Sequence, residues 1–200
     1  MTNPRSLLAL SLAAALLAAC AGMSVSHSQD PMKDLGRARD ELRAPSHATR
    51  AERLIAGASA TVKQAGEDTG IAEVDLAWAE FYSSPAVVKA ESYYRKRGFL
   101  DASVTYDSRL QKSVDYYDQA TPLLLKARRY DALTAASASR GVALMNMGKR
   151  EDACASFDES VSFYDEQMRR DPSVKPAVPE GYGSWKEYMS RLQKWAGCAG

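Results

Sequence analysis

Ser113-Val114-Asp115-Tyr116-Tyr117-Asp118-Gln119 and Ser160-Val161-Ser162-Phe163-Tyr164-Asp165-Glu166 are two versions of one heptapeptide, 47 residues apart in a chain of 200. Around the first, Tyr106, Leu110, Val114, Tyr117 and Leu124 recur at steps of four, four, three and seven. Around the second, Ala153, Phe157, Val161, Tyr164 and Met168 recur at four, four, three and four. Such spacing lays one apolar stripe along an α-helix, which turns once in about 3.6 residues. A repeat of this kind predicts duplicated helical hairpins, about 85–127 and 131–170. Each pairs a first helix, 85–97 or 131–147, with the striped helix after it. The alternative is two amphipathic helices alike by chance.

The flanking sequence extends the same fold class. Asp30-Pro31 supplies a capping acceptor and a first-turn proline for a short polar helix to about Arg43. Ala51, Leu54, Ile55, Ala58, Val62 and Ala65 recur at helical spacing up to Gly66. Ile71, Val74, Trp78, Phe81 and Tyr82 mark a further helix; Ser83-Ser84-Pro85 both stops it and caps its successor, which runs through Arg97 to Gly98. After a connector over 171–183, Ser184 and Glu187 form a capping box, and Trp185, Tyr188, Met189, Leu192 and Trp195 make one apolar face ending at Gly197. The expectation is an all-α single domain over 30–200, antiparallel helical hairpins closed by a C-terminal capping helix at 184–197.

The first residues have a different character. Arg5 precedes Ser6 to Ala19, an uncharged run rich in Leu and Ala. This is the layout of a secretory signal. As a helix the run is roughly 21 Å long, short of the ~30 Å hydrocarbon core of a bilayer. It ends in Leu17-Ala18-Ala19-Cys20, which resembles the lipobox of bacterial lipoproteins. The resemblance implies removal of 1–19, diacylglyceryl and fatty-acyl modification of Cys20, and a flexible tether over 20–29. Ala21 after the modified cysteine implies the outer membrane, with the body on its periplasmic face. An ordinary cleaved signal containing a cysteine is the alternative.

Removing 1–19 takes away Arg5 and no acid, so the body carries 25 Lys and Arg against 25 Asp and Glu. With no basic block, nothing draws it to nucleic acid or to a broadly anionic membrane surface. Cys154 and Cys198 then form an even pair in an oxidising compartment, read as a disulfide; two separate buried thiols are the alternative. That bridge would staple the last helix against the hairpin before it.

Gly141, Leu144, Gly148, Ala153 and Phe157 stand at the spacing of a tetratricopeptide repeat. The second copy therefore resembles that family over about 137–172. In the family these positions hold a close-contact glycine, a pocket residue, a turn, a small crossing residue and an aromatic. The match has departures. Ser137 stands for a large aromatic, Arg140 for a leucine, and Pro172 arrives about seven residues late, implying a second helix two turns longer. The resemblance also implies that the inner face of the first helix receives extended peptides, here through Ala138, Val142, Met145 and Asn146. None of these is Lys or Arg, so gripping of a terminal carboxylate is not expected.

Catalytic signatures are missing from the sequence. His27 lies in the tether and His47 at a helix start, neither beside a second metal ligand at helical spacing. No phosphate loop, nucleophile elbow or paired-cysteine motif occurs. Glu151-Asp152, Asp158-Glu159 and Asp165-Glu166 fall on polar helix faces and read as solvated surface. Tyr93-Tyr94 and Tyr116-Tyr117 are doublets in which one ring enters the core and the other stays near the surface, since helical neighbours point about 100° apart. Tyr93 and Tyr116 are thus candidates for partner binding, with plain packing as the alternative. The reading is a non-enzymatic, lipid-anchored envelope adaptor that binds another cell-envelope protein, without metal or cofactor. A small-ligand or cell-wall-glycan binder is its rival, and an enzyme with an unfamiliar carboxylate site a further one.

Overall fold

The computed structural model describes residues 25–44 and 46–198. Its regular structure is helical, with no strand among the described residues. The signal, Cys20 and the first half of the expected tether, 20–24, lie outside them. No described helix is long and apolar enough to cross a membrane.

Local chemistry sets most boundaries. Helix α1, Pro31–Arg43, opens on Asp30, whose carboxylate accepts from the Met32 N–H, with Pro31 in its first turn. α2, Ala48–Ala65, ends where Gly66 takes a left-handed φ of 69°. α3, Asp68–Ser83, is followed by Ser84, whose hydroxyl caps α4, Pro85–Lys89, by accepting from Val87 N–H. α5 spans Glu91–Arg97, α6 Arg109–Lys126, α7 Tyr130–Asn146 and α8 Arg150–Arg170. α9, Trp185–Ala196, starts at Ser184, which accepts from Glu187 N–H, and stops at left-handed Gly197. α8 has the expected extra length, and Pro172 stands just past its end.

The long helices pack in series: α1 on α2, α2 on α3, α3 on α6, α6 on α7, α7 on α8 and α8 on α9. Alternate members also meet, α1 with α3, α3 with α7 and α7 with α9, so these four share one side of the molecule. Among the described residues, three apolar clusters fill the interior. One joins α1 to α5 with Phe99, Val104 and Tyr106, one lies between α3, α6 and α7, and one joins α7, α8 and α9.

The expected hairpin 85–127 requires a correction. Residues 85–97 are two short helices broken at Ala90, and their buried residues Ala86, Val87 and Tyr94 join the first cluster. Gly98, at φ 75°, then turns the chain into a helix-free segment up to Ser108. The helix paired with α6 is therefore α3, and 84–108 is an insertion between the two. In the second pair, α7 and α8 are joined by a tight turn at left-handed Gly148.

The two matched heptapeptides nevertheless make the same contact. The first letters of the matched heptapeptides, Ser113 and Ser160, are both fully buried. Ser113 donates to the Ala79 carbonyl of α3 and Ser160 to the Thr134 carbonyl of α7, each at 2.7 Å. Two hydroxyls thus fix two striped helices to the backbone of the helix before them. In the second pair Gly141 sets how closely the two helices approach. A β-carbon on Gly141 would stand 2.5 Å from Phe157, so only glycine lets that ring close against α7. Arg140, in the family's leucine position, reaches outward to Asp118 of α6 at 2.7 Å and to Ser156 of α8 at 2.6 Å. Cys154 and Cys198 are bonded, with Cα atoms 5.6 Å apart, and tie the end of α9 to α8.

Candidate binding groove

α7 carries two charged residues, Asp131 and Arg140, in seventeen. Such a helix is expected to be buried on most sides. α6 and α8 cover two flanks; the third, carrying Ala132, Ala135, Ser139, Val142 and Asn146 at steps of three and four, is left partly open. Two adjoining cavities lie over it, of about 500 and 360 Å³. They share Arg39, Glu80, Tyr117, Ser139 and Tyr188 and so form one groove across α1, α3, α7 and α9. These sizes match small-molecule and peptide sites, typically ~300–1,000 Å³.

Charge is concentrated at the centre. Arg39 donates from Nε to Glu80 at 2.9 Å and from Nη2 to Glu73 at 3.2 Å. Burial works against its positive charge, but Glu80 and then Glu73 outweigh that and hold its pKa above the ordinary arginine value. At one end Arg129 forks onto Asp131 with two bonds of 3.0 Å and approaches Glu73 at 3.6 Å. The Arg129 hydrogen bond is the main reason the Asp131 carboxyl sits below the usual carboxylate range. Every groove cation named here already has a carboxylate partner, so an incoming anion would have to displace one.

The walls are aromatic and apolar. Tyr117 is buried, with Ser139 and Ser83 within hydrogen-bonding reach of its hydroxyl, and burial pushes its pKa up. Trp185 and Tyr188 line the α9 side in an edge-to-face pair with centroids 5.6 Å apart. The Trp185 indole N–H is fixed by Ser160 at 3.1 Å. Residues 174–177 and Pro179 of the connector form the remaining wall.

Of the residues singled out in the sequence, Ala138, Val142 and Asn146 line this groove. Met145 instead packs, half-buried, against the α7–α9 cluster. Tyr93 and Tyr116 lie elsewhere. Tyr93 is exposed on α5 and meets Tyr94 edge-on, whereas Tyr116 stacks on Trp78 and Tyr82 with the Lys112 ammonium 5.2 Å over its ring. The sequence reading missed Arg39, Glu73 and Glu80. The only signal available was that Glu73 and Glu80, seven apart on α3, fall on one helix face; nothing local pointed to Arg39.

No group of three His, Cys, Asp or Glu side chains suited to a metal ion occurs among the described residues. His27 approaches Asp34 and His47 approaches Glu41. Asp165 pairs with Lys186, and Glu166 with Arg169 and Arg170, so two of the expected surface acids are engaged there. The strongly shifted acids lie outside the groove. Glu52, on α2, accepts from Leu100 N–H at 2.7 Å and Tyr94 hydroxyl at 3.3 Å, and burial raises its pKa to about 7. Burial raises Asp75 to about 6, with Lys63 pulling the other way. Comparison with protein-family models, curated proteins and solved structures finds no match to the chain.

Proposed function

We propose that this chain is a non-enzymatic adaptor, lipid-anchored through Cys20 at the outer membrane, whose groove over α7 receives an extended segment of another envelope protein. One observation carries this reading: alternate helices of the series, α1, α3, α7 and α9, line one continuous groove over an uncharged helix face. That alternation is what a tetratricopeptide-like body requires of its binding side, and the groove includes Ala138, Val142 and Asn146, proposed from the sequence. An extended peptide suits such a floor because its side chains find shallow apolar seats while its backbone stays accessible to the polar groups at the groove's centre.

A photo-crosslinking residue at Ser139, in cells, should capture a discrete partner, and one at Ser190, outside the groove, should not. Equal capture from both positions would remove the groove from the account. Cys20→Ser should release the protein from the membrane fraction; retention with an unmodified mass would contradict the anchor. A second reading is favoured by Trp185 and Tyr188, which also suit a small cell-wall fragment. Saturable thermal stabilisation by such a fragment, without any crosslinked protein, would replace the adaptor reading.

A further inference from the structure

We propose that the groove is shaped for an extended, proline-containing segment of the partner, and that the chain's own strap Val174-Lys175-Pro176-Ala177-Val178-Pro179 sits along it as an intrachain stand-in. The inference rests on the adaptor reading and names the chemistry of the occupant.

The strap runs without helix or turn between two turns of chain. From 171 to 181 only Pro176 is buried, and its neighbours on both sides are exposed. Between Lys175 and Val178 the backbone makes no hydrogen bond to another described residue. Pro176 and Pro179 have no N–H to give, fix their own φ near −65° and hold the residues before them extended. These are the properties of a polyproline II segment, which carries no internal hydrogen bonds. What seats the strap is therefore the burial of one ring, helped by its tethers to α8 and α9, and not a ladder of bonds specific to its own sequence.

The opposite side has the complementary chemistry. Tyr188 stands edge-to-face with Trp185 and, at 4.9 Å, with Tyr182, giving an aromatic shelf of the sort that recognises flat proline rings. The Tyr188 hydroxyl has no hydrogen-bond partner among the described residues, which leaves a donor for the exposed carbonyls of an extended chain. Beside the seated strap about 500 Å³ stays open and continues into the second cavity. A segment of the same character has room to enter beside the strap and take its place.

The test uses the full chain in detergent and a labelled synthetic peptide with the sequence of residues 172–181, against a control peptide with alanine for its three prolines. Wild type should bind the proline peptide and not the control. Pro176→Ser, which weakens the strap's seat, should bind about tenfold tighter, as for a site occupied by the strap about nine-tenths of the time. Ser139→Trp, at an exposed floor position, should bind about tenfold weaker with unchanged helical circular dichroism, and this comparison decides if Pro176→Ser fails to fold. No binding by wild type and Pro176→Ser, or equal affinity for both peptides, overturns the proposal. A partner crosslinked through position 139 together with no peptide binding overturns the proline chemistry alone; peptide binding without a crosslinked partner removes the adaptor reading and leaves the site.

Discussion

Two single residues carry opposite lessons about backbone and packing. Alanine is favoured over glycine within a helix by about 1 kcal/mol, yet a β-carbon at position 141 would meet the fully buried Phe157 ring at 2.5 Å. Overpacking a core costs typically ~1–3 kcal/mol. Gly141→Ala should therefore lower stability to urea by about 1–2 kcal/mol, and Phe157→Leu should recover part of that loss; a gain from Gly141→Ala alone would refute the close contact. The reverse holds at Arg128, which has φ 56° in the α6–α7 turn. Arg129 N–H bonds the Leu124 carbonyl there, as Lys149 N–H bonds Leu144 in the α7–α8 turn, where the equivalent residue is Gly148. A side chain in this left-handed position costs about 1 kcal/mol, so Arg128→Gly should raise the unfolding free energy by about that amount. An unchanged midpoint in the same urea titration would count against it.

Among the elements, α9 depends most on a covalent tie. Its bridge from Cys198 to Cys154 closes 44 residues, for which chain entropy gives a contribution of about 4 kcal/mol. Cys198→Ser should lose up to that much, and reductant should shift the mobility of the native protein on a denaturing gel. Free thiols in the purified protein would contradict both. This tie, the caps at Asp30, Ser84 and Ser184, and the helices themselves were legible because each is a local signal or a count. The striped helices were legible for the same reason, and their shared serines do the same work in both pairs. The partner of α6 was not. Periodicity shows that a helix has a face to bury but not against what, and 84–108 looks like a continuing hairpin until Gly98 turns it aside. The groove was half visible. Ala138, Val142 and Asn146 lie on one helix at regular spacing, whereas Arg39, Glu73 and Glu80 come together only when α1 folds over α3.

The whole molecule keeps buried acid in its first cluster and paired acid on its surface, and this sets its response to pH. Glu52, ordinarily near 4.5, is raised to about 7, and Asp75, ordinarily near 3.8, to about 6. Both hold a proton more tightly folded than unfolded, so folding is favoured when they are protonated and loses that advantage as pH rises from about 4 to 7. The melting temperature should fall across that window and level off above it, and Glu52→Gln should flatten the fall, restoring on the order of 2 kcal/mol at pH 8. A rising melting temperature between pH 5 and 7 would show that these carboxyls are ionised at little cost. The surface pairs, such as Asp131 with Arg129, act with the opposite sign and only at lower pH. The route of the chain through its last third has one more effect. The exposed strap is the natural place for a protease to cut, and it lies wholly inside the ring closed by Cys154 and Cys198. Scission there yields two fragments that stay joined through sulfur, so a nicked molecule keeps α9 in position while its groove loses an occupant tied at both ends.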